Sequence, residues 1–377
     1  IRTAQLGGKA ILVEKESLGG TCTNRGCIPA KTLLRSVELY LDCLESSRLG
    51  LNLSNVSLDW AAVMKRKRVV VNQTVKGIEY LMKANDVEVV QGTASLSSRN
   101  SVQVTDSSDR SGKVCGKKIL IASGSLPATI PILSINGKDV INSDQALELT
   151  EIPASSIVIG AGPVGVEFAC IFAAAGSKVT LIEMMPEIIP LEDGEVASLL
   201  RKSLERRGVV VETNATVTAI GEGESGGKSL HVSTPQGDRV YRTELILVAV
   251  GRKPNTSNIG VENVGIATER GRILVNEHME TNVPGIFAAG DVVGGHMLAH
   301  VAMAEGYAAA ENAMGMSRVV DYSVIPRCVY SVPEASWVGM SEREAKERFG
   351  EVKVGRFPLA ASGRATTMGH REGLVKI

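Results

Sequence analysis

The stretch SSIVIGAGPVGVEF, residues 155–168, constrains the fold of this chain more than any other. A short β-branched run, Ser155–Ile159, leads straight into Gly160, Gly162 and Gly165 in G-x-G-x-x-G spacing. A helical pattern follows in VEFACIFAAAG. A second apolar run, KVTLIE, then ends in Glu183, about twenty residues past the first glycine. Strand, glycine turn, helix and strand in that order predict a βαβ unit that seats a dinucleotide. The glycines let the backbone approach a pyrophosphate, which the positive end of the helix attracts. A carboxylate at Glu183 suits both ribose hydroxyls and repels a 2′-phosphate, so NAD is expected rather than NADP.

A second such unit is expected at the start of the chain. LGGKAILVEK (Leu6–Lys15) matches AGSKVTLIEM (Ala175–Met184) position for position, pairing Gly7 with Gly176, Lys9 with Lys178 and Glu14 with Glu183. The first segment therefore reads as the second half of another dinucleotide-binding βαβ unit. Its own glycine-rich turn is expected before Ile1, and the natural protein is expected to be longer at both ends. KKILIASGSLP (Lys117–Pro127) and VPGIFAAGDVV (Val283–Val293) each read as a strand ending in small residues, the second closing on Asp291. The complete glycine-turn unit lies between them, so one nucleotide domain is interrupted by another.

The expected fold class is α/β, with two Rossmann-like dinucleotide-binding domains, one inserted in the other, and a partial α+β interface domain. The expected boundaries are 1–125 and 253–320 for the interrupted domain, 126–252 for the inserted one, and 321–377 for the interface. In EVASLLRKSLERRG, Val196, Leu199, Leu200 and Leu204 recur at helical spacing, with Gly208 as the stop. SEREAKERFG carries a capping box, with Ser341 as N-cap, Glu344 three residues on, and Gly350 ending the helix. The polar, glycine-rich stretch Gly221–Gly237 suits surface hairpins.

Composition excludes several classes. A chain of 377 residues with 44% hydrophobic residues is globular, and its formal charges cancel, which argues against an extended nucleic-acid surface. The run Lys65-Arg66-Lys67-Arg68 reads as a solvated helix face. No apolar run is long enough to span a bilayer and no signal peptide is visible, so a cytoplasmic enzyme is expected, a mitochondrial mature form remaining open. Of the six cysteines, Cys43, Cys115, Cys170 and Cys328 are scattered among apolar neighbours and read as inert core thiols. Only Cys22 and Cys27 form a local pair, in GGTCTNRGCIPAK.

That pair has three readings. Zinc needs about four ligands; there is no second cysteine pair, and His231, His278, His296, His300 and His370 do not cluster, so no metal is expected. A structural disulfide over so short a loop contributes little and suits a cytosolic chain poorly. A redox pair is favoured. Pro29 suits a helix start, which puts Cys27 near an electropositive helix N-terminus that stabilises a thiolate. Lys31 follows one turn on. Coupling a dithiol to a nicotinamide needs a mediator of both chemistries, and a flavin is one.

Together GGTCTNRGCIPAK, GAGPVGVEF, VAVGRKPNT, IFAAGDVVGGHMLAH and GRFPLAASGRA resemble the flavin-dependent pyridine-nucleotide disulfide reductases over essentially the whole chain. The resemblance implies FAD and NAD as cofactors and a homodimer. It implies Cys27 as the thiolate against the flavin, Cys22 as the interchange thiol, and Lys31 near the flavin, paired with Glu167. It places Glu14 on the adenosine ribose of FAD, with Thr21, Ala94, Ser123 and Gly124 also on that cofactor. Asp291 falls on the ribityl chain, and the backbone of Met297, Leu298, Ala299 and His300 along the isoalloxazine. Gly160, Gly162, Pro163, Val164, Gly165, Glu183, Val217 and Gly251 fall on NAD. His300 is otherwise a packing residue.

The chain looks most like the members that oxidise dihydrolipoamide to lipoamide with NAD+, free or on the lipoyl domain of a 2-oxoacid dehydrogenase complex. Mercuric reductase and glutathione-type reductase are alternatives within the family, and a non-catalytic binding module is one from another class. The family's C-terminal histidine–glutamate acid–base motif does not occur before Ile377. The chain as it stands is therefore expected not to complete full turnover.

Overall fold

Ser155–Ile159 lies third in a five-stranded parallel sheet ordered Val210–Glu212, Lys178–Ile182, Ser155–Ile159, Leu245–Val248, Val140–Asn142. Such a sheet is covered on both faces, so its strands are continuous apolar runs. Ile157, Val158, Leu181, Ile246 and Leu247 are each at most 1% exposed. Helix Pro163–Ala174 packs Val166, Ile171 and Phe172 into one core with Val158, Leu181 and Leu247, while Ile157 and Ile246 belong to a second cluster. The chain goes outward from Ser155–Ile159 through Lys178–Ile182 to Val210–Glu212, then returns to the other side with Leu245–Val248. The order reverses at that point, and ligands of such sheets bind at the strands' carboxyl ends there.

The computed structural model describes residues 1–223 and 227–377. The five-stranded sheet belongs to a unit made of Ala30–Arg66, Ala128–Gly251 and Ser323–Ile377. The other unit comprises Ile1–Pro29, Lys67–Pro127 and Arg252–Tyr322. These units cut the chain more coarsely than the four expected segments, and residues 30–66 and 323–377 group with the five-stranded sheet. In the second unit, Ile11–Glu14 pairs in parallel with Glu88–Gln91. Ile119–Ile121 and Ile286–Ala288, read from similar sequence patterns, pair in parallel with each other. Thr93–Ser98, Ser101–Thr105 and Ser111–Cys115 form an antiparallel meander, and helix Ala299–Ala313 packs on Ile286–Ala288. The α/β class is as expected.

Several local expectations hold. Glu342–Phe349 has the Ser341–Glu344 capping box, and Thr216–Glu222, Lys228–Thr234 and Gly237–Thr243 pair antiparallel. Residues 224–226 of the expected hairpin stretch lie outside the described residues. Other expectations need correction. Helix Gly194–Arg206 buries Ala197, Leu200, Ser203 and Leu204, while Val196 is half-buried and Leu199 exposed, because the buried face is turned from the stripe the apolar residues mark. Lys67 is 2% exposed: four consecutive residues wrap most of helix Trp60–Ala84, so a basic run cannot all face water. Among the four scattered cysteines only Cys170 is buried; Cys43 and Cys328 are half-buried, and Cys115, on an edge of the meander, is exposed.

Ion pairs gather helix Gly194–Arg206, helix Glu342–Phe349 and strand Leu374–Lys376 around one lysine. Lys376 Nζ lies 2.8 Å from Asp193, 3.2 Å from Glu195 and 2.8 Å from Glu342. Arg356 bridges Glu195 and Glu342, at 2.8 Å each. Hydrogen bonds from Lys346 and then Lys376 hold Glu342 down to about 2, and Arg356 lowers Glu195. Carboxylates depressed in the fold stabilise it above their unfolded values, near ~4, and lose that stabilisation as pH falls through the folded ones. Lys376→Met is therefore expected to lower the urea midpoint at pH 7. The gap from wild type should narrow below the unfolded carboxylate range and close only as pH falls to about 2, and a gap that stays constant with pH would assign the loss to packing.

Candidate active site

Gly160 ends the central strand with φ +95°, and a Cβ there would lie 2.5 Å from the Ala249 carbonyl oxygen on the neighbouring strand's extension. A Cβ on residue 165 would lie 1.8 Å from the Gly160 carbonyl oxygen. Helix and strand thus meet backbone to backbone. Gly162 is the helix N-cap, and a Cβ there would meet no heavy atom within 4 Å. Pro163 is the first helical residue and Val164 the next, exposed at 37%. The open side of the turn, with the orphan N–H groups of the first helical turn, fits a pyrophosphate. Gly251, at φ +108°, ends the adjacent strand's extension and accepts from Ala128 N–H. The structure thereby brings Gly160, Gly162, Gly165 and Gly251 to one end of the sheet.

Glu183 is 7% exposed, and its two oxygens accept from Ala161 N–H at 2.7 Å and Met185 N–H at 2.9 Å. The carboxylate thus locks the glycine turn, a role that spacing alone did not disclose. Its carbonyl accepts from Ala215 N–H, and Val217 lies two residues on.

The sequence repeat is a structural one. Glu14 Oε1 accepts from Glu16 N–H at 2.9 Å, as Glu183 Oε1 does from Met185 N–H. The Glu14 carbonyl accepts from Gly92 N–H, and Ala94 lies two residues beyond, matching Ala215 and Val217. Burial pushes the Glu14 carboxyl above its usual range, against nearby Lys15 and Arg25.

Asp291 follows the strand Ile286–Ala288 and accepts from the Ser125 hydroxyl, which itself accepts from Arg252 Nε at 2.7 Å. Ser125 and Arg252 were not singled out from sequence; VAVGRKPNT marks only the arginine's motif. Ser123 donates from its hydroxyl to the Asn255 carbonyl at 2.7 Å, and Gly124, at φ +70°, accepts from Asn255 N–H. Met297 has φ +45°, Leu298 is the N-cap and Ala299 the first residue of helix Ala299–Ala313, with His300 exposed. This run presents backbone N–H groups at a helix N-terminus.

Thr21 and Cys22 lie in the short helix Gly20–Arg25, and Cys27 is the first residue of helix Cys27–Leu44. Both cysteines are half-buried. Gly26 separates the helices, and a Cβ on it would press to 3.0 Å from the Thr21 carbonyl oxygen. The Asn24 amide ties the segment down by donating to the Leu18 and Gly20 carbonyls at 3.1 and 3.0 Å. One turn along the second helix, Lys31 Nζ meets both oxygens of Glu167 at 2.7 Å. Glu167 is 5% exposed and also accepts from Tyr330 N–H at 3.0 Å.

With this geometry in hand, the chain matches the family model of pyridine nucleotide-disulphide oxidoreductases over residues 1–306 and that family's dimerisation domain over residues 325–377. A dihydrolipoyl dehydrogenase of Chlorobaculum tepidum is 42% identical, covering 100% of this chain and 81% of its own. The mitochondrial dihydrolipoyl dehydrogenase of Pisum sativum is 39% identical, covering 100% of this chain and 76% of its own. Among solved structures, the HOCl-induced flavoprotein disulfide reductase RclA from Escherichia coli superposes with a TM-score of 0.84 at 30% identity, over 99% of this chain and 81% of that one. LpdA from Mycobacterium tuberculosis shares the fold with a TM-score of 0.91 at 24% identity, over 100% of this chain and 83% of that one.

Two glycines separate folding from binding. Gly165→Ala puts a methyl into a carbonyl that no rotamer change can relieve, so a loss at or above the upper end of ~1–3 kcal/mol is expected by denaturant melts. Gly162→Ala points its methyl into open space and is expected to melt like wild type. Its NAD affinity, by titration calorimetry on the flavoprotein, should fall about tenfold, the equivalent of ~1.4 kcal/mol. Unchanged NAD affinity would remove the turn from the nucleotide site.

Proposed function

The chain belongs to the pyridine nucleotide-disulphide oxidoreductase family, and on that footing we propose that it oxidises dihydrolipoamide to lipoamide with reduction of NAD+ through Cys22 and Cys27. It is an oxidoreductase that uses FAD and NAD(H) and pairs with a second copy of itself. The observation that carries the proposal is the cysteine pair set at the start of a helix whose next turn holds Lys31 against buried Glu167.

In this reading residues 1–125 and 253–320 hold FAD, residues 126–252 hold NAD, and residues 321–377 face the partner subunit. Glu14, Thr21, Ala94, Ser123, Gly124, Asp291 and residues 297–300 serve FAD. Gly160 to Gly165, Glu183, Val217 and Gly251 serve NAD. When bound, FAD accepts an electron pair from the dithiol and passes it on as hydride to NAD+. Cys22 takes the attack of a substrate thiolate on its bond to Cys27; exchange then releases the oxidised substrate and leaves both cysteines reduced. Cys27, at the electropositive helix start, is the thiolate of the reduced pair. Lys31, paired with Glu167, keeps a positive charge one turn away. The buried carboxylate of Glu183 supports NAD over NADP, since a 2′-phosphate beside it meets like charge.

The lipoyl domain of a 2-oxoacid dehydrogenase complex is the proposed source of the dithiol, supported by the dihydrolipoyl dehydrogenase relatives. The proposed location is the cytoplasm; no helix among the described residues is long and apolar enough to cross a membrane. Steady-state assay of the full-length flavoprotein with dihydrolipoamide and NAD+ tests the reading. Cys22→Ser and Cys27→Ser are each expected to cut kcat by on the order of a thousandfold or more. Faster turnover with NADPH and glutathione disulfide would replace it with the glutathione-type activity.

A further inference from the structure

Tyr330 touches both members of the Lys31–Glu167 pair. Its backbone N–H donates to Glu167 Oε1 at 3.0 Å, and its ring centroid lies 4.6 Å from Lys31 Nζ. A lysine ammonium is a strongly hydrated charge on a flexible stem, so a carboxylate alone fixes it poorly when water can reach it. Lys31 is that case, with a side chain 32% exposed against 7% for Glu167. An aromatic face competes with water for the ammonium. Lys31 and Tyr330 line the same cavity of about 230 Å³ with Arg35 and Glu38, so water has access to the ammonium on that side.

The ring is itself held on a short lever. Tyr330 directly follows strand Arg327–Val329, which pairs with Ala335–Trp337. Two bonds staple the segment to helix Pro163–Ala174: Tyr330 N–H to Glu167 and Val332 N–H to Cys170 Sγ at 3.4 Å. The Ser331 hydroxyl closes the turn on the Pro333 carbonyl at 2.7 Å. Burial raises the phenol above its ordinary pKa, so the ring stays neutral through the physiological range.

We propose that Tyr330 is a positioning residue, its ring fixing the Lys31 ammonium in the orientation in which that charge acts on the flavin. The inference rests on the proposed placement of Lys31 beside the flavin. A fixed cation stabilises the negative charge of the reduced cofactor, so the readout is the flavin midpoint potential, measured on the full-length flavoprotein by equilibration with a reference dye. Lys31→Met is expected to lower the potential. Tyr330→Leu is expected to lower the reduced-to-oxidised ratio about threefold, as loss of a cation–aromatic contact would, which is about 14 mV for a two-electron couple. Tyr330→Phe keeps the face and is expected to hold the wild-type potential. Tyr330 is 42% exposed, so both variants should fold, and Tyr330→Met stands in if the leucine variant does not.

An unmoved potential in Lys31→Met would overturn the placement of Lys31 itself. A shift in Lys31→Met with none in Tyr330→Leu would overturn the role of the ring alone, whatever the melting temperature does. A shift in Tyr330→Phe as large as that in Tyr330→Leu would assign the effect to the hydroxyl and overturn it equally.

Discussion

A helix can begin hard against the end of a parallel strand only if nothing projects between them. Gly160 and Gly165 meet that condition, since any Cβ at either position would collide with a backbone carbonyl. Helix Pro163–Ala174 is oriented by that contact. Its N-terminus faces the open side at Gly162, and its inner face sends Val166 and Phe172 into the core. The same rigid element delivers Glu167 to Lys31 and Cys170 to the loop behind Tyr330. One close backbone approach therefore sets both the nucleotide turn and the acid that holds the lysine.

Carboxylates wholly or partly out of water need partners, and four of them here find different kinds. Glu183 is satisfied by two backbone N–H groups of the turn and its continuation. Glu167 takes a lysine and one backbone N–H. Glu305, 3% exposed, takes Gly290 N–H at 2.7 Å and the Tyr322 hydroxyl at 2.9 Å, and burial raises its pKa all the same. Asp291, one residue past Gly290, takes the Ser125 hydroxyl. Three of the four bond backbone amides beside a strand end. These carboxylates thus hold the loops at the strand ends in shape.

Glu14 and Glu183, each hydrogen-bonded two residues on, carry the same local design in both units. In each case the carboxylate's own carbonyl receives a chain returning from far along the sequence, at Gly92 and at Ala215. Ala94 and Val217 fall at equivalent places as a result. The repeat is legible in ten residues because strand, turn and acid are local features. Its returning partners are not, because no short-range pattern sets where a distant segment closes the ladder.

Local physics made much of this protein readable before folding. Continuous apolar runs, glycine spacing, a Ser–Glu capping box and a cysteine at a helix start depend on neighbours within a few residues. They yielded the class of fold, the nucleotide turn and the redox pair. Tyr330 against Lys31, Ser125 and Arg252 on Asp291, and the turning of Lys67 inward carry no such mark. Each joins or hides residues whose surroundings are set by segments far apart in the chain. Sequence alone determined which chemistry was available, because residue type and local spacing carry it; tertiary structure decided which groups meet, because burial and charge pairing are satisfied only once distant segments pack.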